Sequence, residues 1–196
     1  MVNISPSIAS SNILDIKNEI KKVEDANSYT LHLDIEDGNF VPNITFGIKL
    51  INMIRKQTKM NISYHLMVTN PLFWIYELPL RDNDIVFAHV ESYQYPKYII
   101  NSIKKRGANA GIVFNPATNI EQYKYLVSVC ENIMIMTSEP DKDGEYFIEE
   151  MIDKILMAKK FNFKNIWVDG GINKEKIETL SKIGVSNFVV GRYFFK

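Results

Sequence analysis

Cysteine is nearly missing from this chain: Cys130 is the one thiol among 196 residues. That excludes an internal disulfide framework and fits a reducing cytoplasm. Charge of one sign is missing too. Lys plus Arg and Asp plus Glu both total 23, so net charge points to neither nucleic acid nor a membrane surface. No apolar run approaches the ~20 residues of a membrane helix. The opening MVNISPSIASSN lacks the basic end and long apolar core of a secretory signal. No Pro/Gly/Ser-rich linker, low-complexity stretch or composition break divides the chain, so residues 1–196 read as one domain with one sizeable core.

What is present is alternation. Short β-rich runs at 3–9, 29–35, 61–68, 84–91, 109–115, 132–138, 165–169 and 187–191 are separated by helical patterns. KLINMIRKQ (49–57) and FIEEMIDKILMAKKF (147–161) repeat apolar residues every three or four positions. Asn119 before IEQYKYLVSV and Asn173 before KEKIETLSKI read as helix N-caps, with Gly107 and Gly184 as stops. Strand–helix alternation implies parallel pairing with right-handed crossovers. Eight nearly even units fit an α/β fold of the (β/α)8 TIM-barrel type better than an open doubly wound sheet. GRYFFK follows the eighth strand directly, so the final C-terminal helix is expected to be missing. Apolar surface beside strands one and eight, including Phe194 and Phe195, would then be bare, and a homo-oligomer is expected.

TLHLDIEDGNFVPN (30–43) sets His32 and Asp34 two apart, on one face of a strand, where alternation calls for core. His65 falls late in strand three, His89 late in strand four and Asp169 at the end of strand seven. Barrels collect their functional groups at such C-terminal strand ends. Each histidine alone reads as a satisfied core residue. His32, Asp34, His65 and Asp169 together read equally as a divalent metal site with nitrogen and oxygen ligands. His89 is farther round the barrel and reads as a structural hydrogen-bonding group. VDGG (168–171) is either a plain tight turn or an anion-binding one, and Gly191 with Arg192 repeats the choice at the next strand end. Met67 and Met136 read as core.

SPSIASSN (5–12), HLDIEDGNFVPNITFG (32–47), YHLMVTNP (64–71), HVE (89–91), VFNPAT (113–118), IMIMTSEP (133–140) and VDGGIN (168–173) resemble, in order, the motifs of the ribulose-phosphate 3-epimerase family. That resemblance implies a metal-dependent isomerase that inverts C3 of a ketose phosphate through an enediolate. It implies one divalent ion (Zn, Fe, Mn or Co) on His32, Asp34, His65 and Asp169, with Asp34 and Asp169 also serving as the two acid/bases. It further implies substrate contacts from Ser7, Met67 and Met136, while Gly170, Gly171, Gly191 and Arg192 are candidate phosphate contacts from their place in the loops after strands seven and eight.

The departures from the family pattern matter as much. Glu36 stands where the family has methionine, on the face of Asp34, and is a candidate specificity residue. Asn39 replaces a histidine. The loop PDKDGE (140–145) replaces PGFGGQ, and Arg192 replaces a small residue. Catalytic groups are kept while distal recognition is rewritten. Either ribulose 5-phosphate or a specialised ketose phosphate is the expected substrate, and a metal- or sugar-binding relative without turnover is the other class.

Overall fold

The computed structural model describes residues 2–140 and 146–195. Eight strands run β1 (Asn3–Pro6), β2 (Leu31–Glu36), β3 (Ile62–Met67), β4 (Ile85–His89), β5 (Asn109–Phe114), β6 (Asn132–Met136), β7 (Asn165–Asp169) and β8 (Asn187–Val190). Every pairing is parallel, in the order β1-β8-β7-β6-β5-β4-β3-β2. An isolated parallel bridge, Ser7 to His32, joins the two edges, and the Tyr29 N–H donates to the Ile4 carbonyl at 2.7 Å. The sheet is thereby closed into a barrel.

Among the described residues six α-helices lie outside it: α1 (Ile16–Asp25), α2 (Ile48–Gln57), α3 (Pro71–Glu77), α4 (Pro96–Lys105), α5 (Met151–Lys160) and α6 (Lys174–Lys182). Their starts follow local chemistry. Asn70 accepts the Phe73 N–H with Pro71 in the first turn of α3, and Asn173 accepts the Lys176 N–H at 3.0 Å. Their ends do too: Gly107 (φ +84°) and Gly184 (φ +88°) take the left-handed backbone that stops α4 and α6.

Three expectations need correction. The segment after Asn119 is a 3₁₀ helix (Ile120–Leu126) rather than an α-helix, although Asn119 does accept the Glu121 N–H. Helix α5 begins at Met151 rather than at 147. No helix follows β8 among the described residues, as expected, but Phe194 and Phe195 are not bare. They meet edge to face at 4.9 Å and lie half-buried against the core. What stays open beside them is a groove of about 910 Å³, lined by Val2, Ile4, Tyr29, Ile177 and Tyr193 among others.

The strands are buried on both faces. Leu31, Leu33 and Ile35 of β2 and Ile62, Tyr64 and Leu66 of β3 point outward onto the helices, with Ile20, Val23, Ile51 and Ile54 among their partners. The interior splits into two halves. Around β4–β8 it is apolar, with Phe87, Val113, Met134, Trp167 and Val189 forming one cluster. Around β1–β3 it is polar: Thr30 Oγ1 lies 2.9 Å from Ser5 Oγ and 2.7 Å from Ser63 Oγ, and Ser63 Oγ lies 2.8 Å from His32 Nδ1. The alternation that sends leucines outward on β2 sends His32 and Asp34 inward, onto that polar half.

Asp37 ties the loop after β2 to the loop after β3. Its Oδ1 accepts the N–H groups of Asn39 and Phe40, and its Oδ2 accepts the N–H and hydroxyl of Thr69, both at 2.8 Å. Burial opposes ionisation, but these donors outweigh it and bring the carboxyl down to about 2 from the ordinary 3.8. A depressed carboxylate stabilises the fold above its unfolded value and loses that contribution as pH falls through its folded one. Asp37→Ala should therefore cost about 1 kcal/mol near neutral pH. In acid-unfolding curves followed by circular dichroism, the gap to wild type should close between pH 3.8 and about 2.

Candidate active site

At the C-terminal mouth, β2, β3 and β7 bring four side chains together. One ligand atom from each of His32, Asp34, His65 and Asp169 lies within 4.8 Å of every other. His65 Nδ1 is 2.9 Å from Asp34 Oδ1 and 3.3 Å from Asp169 Oδ2. His32 Nε2 is 3.2 Å and 3.8 Å from the same two carboxylates. Both imidazoles are fully buried, while the carboxylates keep 13% and 16% of their side-chain surface open to the mouth. The histidines lie buried beneath, and the aspartates keep an edge open to the mouth.

The electrostatics follow from that geometry. Burial by itself would raise the Asp34 carboxyl, but the His32 charge and the hydrogen bonds to His32 and His65 hold it far below the usual carboxylate range. Burial by itself would lower His65, yet hydrogen bonds to Asp169 and Asp34 push it up to about 9. The site is built for positive charge between two carboxylates, and a divalent cation fits the donor set: two imidazole nitrogens and two carboxylate oxygens converging on one point.

Supporting contacts hold the two aspartates, by side chain or backbone. The Ser7 hydroxyl donates to Asp34 Oδ2. Thr45 Oγ1 donates to the Asp34 carbonyl and accepts the Glu36 N–H at 3.1 Å. At the other side, the Thr137 N–H and hydroxyl both donate to the Asp169 carbonyl, and the hydroxyl also reaches the Gly170 carbonyl at 2.6 Å. Sequence reasoning missed Thr45, Ser63 and Thr137. Each acts across the barrel or between loops, and a hydroxyl in a strand or turn carries no signal of its partner.

The other expected residues gather near this centre. Met67 pairs in register with Glu36 and Met136 with Asp169, and both methionines are 4% exposed. Glu36 Oε2 accepts from Asn43 Nδ2 at 2.7 Å. Burial, then the Asp34 charge, pushes Glu36 up to about 7. It is not one of the four converging groups.

Gly170 (φ +114°) and Gly171 (φ +66°) make the turn after β7. A Cβ on Gly170 would fall 2.2 Å from Ser138 Oγ, and one on Gly171 would fall 2.3 Å from the Phe147 nitrogen. Only glycine lets this turn press against the β6 loop. Neither glycine donates its amide to another described residue. Gly191 abuts Ser10 from the β1 side, and Arg192 follows in an exposed turn. Residues 141–145 of the altered loop lie outside the described residues. His89 stands beside the cluster, with its Nε2 2.9 Å from His65 Nε2 and Phe40 packed on its ring.

Among the described residues, no helix is long and apolar enough to cross a membrane. A mutant tryptophan synthase alpha-subunit from Pyrococcus furiosus superposes with a TM-score of 0.71, covering 97% of this chain and 87% of that one at 15% identity. That likeness speaks for the barrel fold alone. The ribulose-phosphate 3-epimerase of Methanocaldococcus jannaschii is 35% identical over 200 aligned positions, covering 100% of this chain and 85% of the relative. That of Bacillus subtilis is 32% identical over 197 positions, covering 97% and 91%. The model of the ribulose-phosphate 3 epimerase family matches residues 3–195, strand one to the turn after strand eight, and so the chain belongs to that family of carbohydrate epimerases.

Proposed function

We propose that this protein interconverts the C3 epimers of an open-chain ketose phosphate by removing and returning the C3 proton. Asp34 and Asp169 are the two acid/bases, and His32, Asp34, His65 and Asp169 hold one divalent ion. The carrying observation is the convergence itself: two carboxylates from β2 and β7, three strands apart round the barrel, share one pair of histidines. When bound, the ion supplies a Lewis acid that stabilises negative charge developing on the substrate oxygens. Asp34 is kept ionised and oriented by Ser7 and His32, ready to accept a proton. Thr137 fixes the carbonyl of Asp169 and, through it, the other base. Buried Met67 and Met136 give the reacting carbons an apolar cover that keeps water from the carbanion. Turnover in deuterated water tests the reading: product should carry deuterium at C3. Product with C3 still protiated would mean hydride or retro-aldol chemistry instead.

Ribulose 5-phosphate is the first substrate to assay. Glu36 favours a second reading, a longer or differently hydroxylated ketose phosphate. Its carboxyl sits beside Asp34 with one oxygen held by Asn43, and among the described residues the other oxygen has no hydrogen-bond partner. A panel of pentulose, hexulose and heptulose phosphates compared by kcat/KM decides between them, and no turnover of any would leave a binding relative. The open groove beside β1 and β8 also supports an oligomeric assembly.

The phosphate is assigned to the turns at Gly170–Gly171 and Gly191, the usual barrel position, with Arg192 adding a charge-assisted contact. Arg192→Ala should raise KM at least tenfold for the phosphorylated ketose and leave the unphosphorylated one nearly untouched. Equal effects on both would make Arg192 a surface charge only.

A further inference from the structure

Beside the cluster, a line of polar atoms runs away from His65 in a direction the chemistry above does not use. His65 Nε2 and His89 Nε2 are 2.9 Å apart. The ring planes differ by only 16° with centroids at 5.0 Å, so the two imidazoles meet edge to edge, nitrogen to nitrogen. His89 Nδ1 then lies 3.3 Å from Glu91 Oε2. Glu91 Oε1 is held by the Asn115 N–H at 2.9 Å and by the Thr118 hydroxyl. The line therefore starts in the loop after β5, crosses β4 and ends on β3.

Counting protons along it leaves one consistent arrangement. An ionised carboxylate only accepts, so the His89 nitrogen facing Glu91 carries the hydrogen. A neutral imidazole has one N–H, which leaves His89 Nε2 as an acceptor. The nitrogen facing it, His65 Nε2, must then be the donor. The remaining His65 nitrogen, Nδ1, is the one turned toward Asp34 and Asp169. A neutral His65 locked this way presents a lone pair to the cluster. With the opposite tautomer it would present a hydrogen there and could not ligate.

We propose that Glu91 and His89 are positioning residues that fix the His65 ring with its proton on Nε2 and its Nδ1 lone pair aimed at the metal site. This rests on the metal reading of the four-residue cluster. Outer partners of this kind set both the orientation and the basicity of a ligating histidine, and their loss commonly weakens metal binding 10–100-fold. His89 is 2% exposed, so its contact with His65 is shielded from bulk solvent.

The test is zinc affinity, read by chelator competition, together with ring ¹⁵N spectra of the histidines. His89→Leu should bind zinc at least tenfold more weakly than wild type. His89→Gln should recover most of the loss, because its amide oxygen can accept the His65 N–H. In zinc-loaded wild type, the ¹⁵N shifts should show His65 protonated at Nε2 and unprotonated at Nδ1. A folded His89→Leu variant that binds zinc as tightly as wild type would overturn the proposal while leaving the metal reading intact. Equal losses in the Leu and Gln variants would also overturn it, since packing alone would then explain them. If His89→Leu does not fold, the wild-type spectrum still decides, and a His65 protonated at Nδ1 in the loaded protein refutes the relay. Wild type that binds no divalent ion would sink the metal reading and the relay together.

Discussion

Asp34→Asn and Asp169→Asn should each lower kcat by at least ~10³-fold, within the range that a positioned acid or base contributes. An amide keeps the shape and an oxygen donor but cannot take up a proton at C3. The two losses should differ in kind. In the proposed two-base reaction, the carboxylates of β2 and β7 would each serve one face of the substrate carbon. Asp34→Asn should therefore still exchange the C3 proton of one epimer with deuterated solvent, and Asp169→Asn that of the other. Neither variant should interconvert the two. Metal content must be measured beside each rate, because both residues also belong to the ligand set. A fully loaded variant that turns over within tenfold of wild type would remove that aspartate from the acid/base pair.

Much of this site was legible before any coordinates because strand parity is rigid. Once 31–36 is a strand, His32 and Asp34 share a face, and the outward leucines decide which face it is. The strand-end positions of His65 and Asp169 follow in the same way. The 3₁₀ segment shows where the pattern was ambiguous. Ile120, Tyr123, Leu126 and Val129 are spaced by three, a period that fits a 3₁₀ turn as well as a short α-helix, and the two can be separated only by what packs above them.

The supporting groups were illegible for a different reason. Ser63 reaches His32 across 31 positions of chain, and Thr137 reaches Asp169 across 32. Neither separation has a sequence period. His89 was readable as a hydrogen-bonding group, but its partner depended on the β3–β4 register. There His65 pairs with Phe87, which sets His89 one pleat farther toward the mouth. The half-burial of Phe194 and Phe195 likewise depends on a turn closed by the Phe194 N–H on the Gly191 carbonyl.

Purified wild-type protein should carry one divalent ion per chain, and His65→Ala should lose it. Two buried carboxylates at close range repel, and their separation from water makes that repulsion costly. His65 answers it: its Nδ1 lies within hydrogen-bonding distance of both aspartates, whose hydrogen bonds outweigh burial and push it up to about 9. A divalent ion held by these residues would supply positive charge to the same two carboxylates. Alanine removes both roles at once. The variant has one nitrogen donor fewer, and His32 alone is left beside Asp34 and Asp169 to offset their repulsion. Occupancy measured by elemental analysis after gel filtration should therefore fall below a tenth of wild type, and turnover should fall with it. Chelator treatment of wild type should abolish turnover reversibly, with Zn, Mn, Fe or Co restoring it, whereas added metal should not rescue His65→Ala. Undiminished occupancy in that variant would take His65 out of the ligand set.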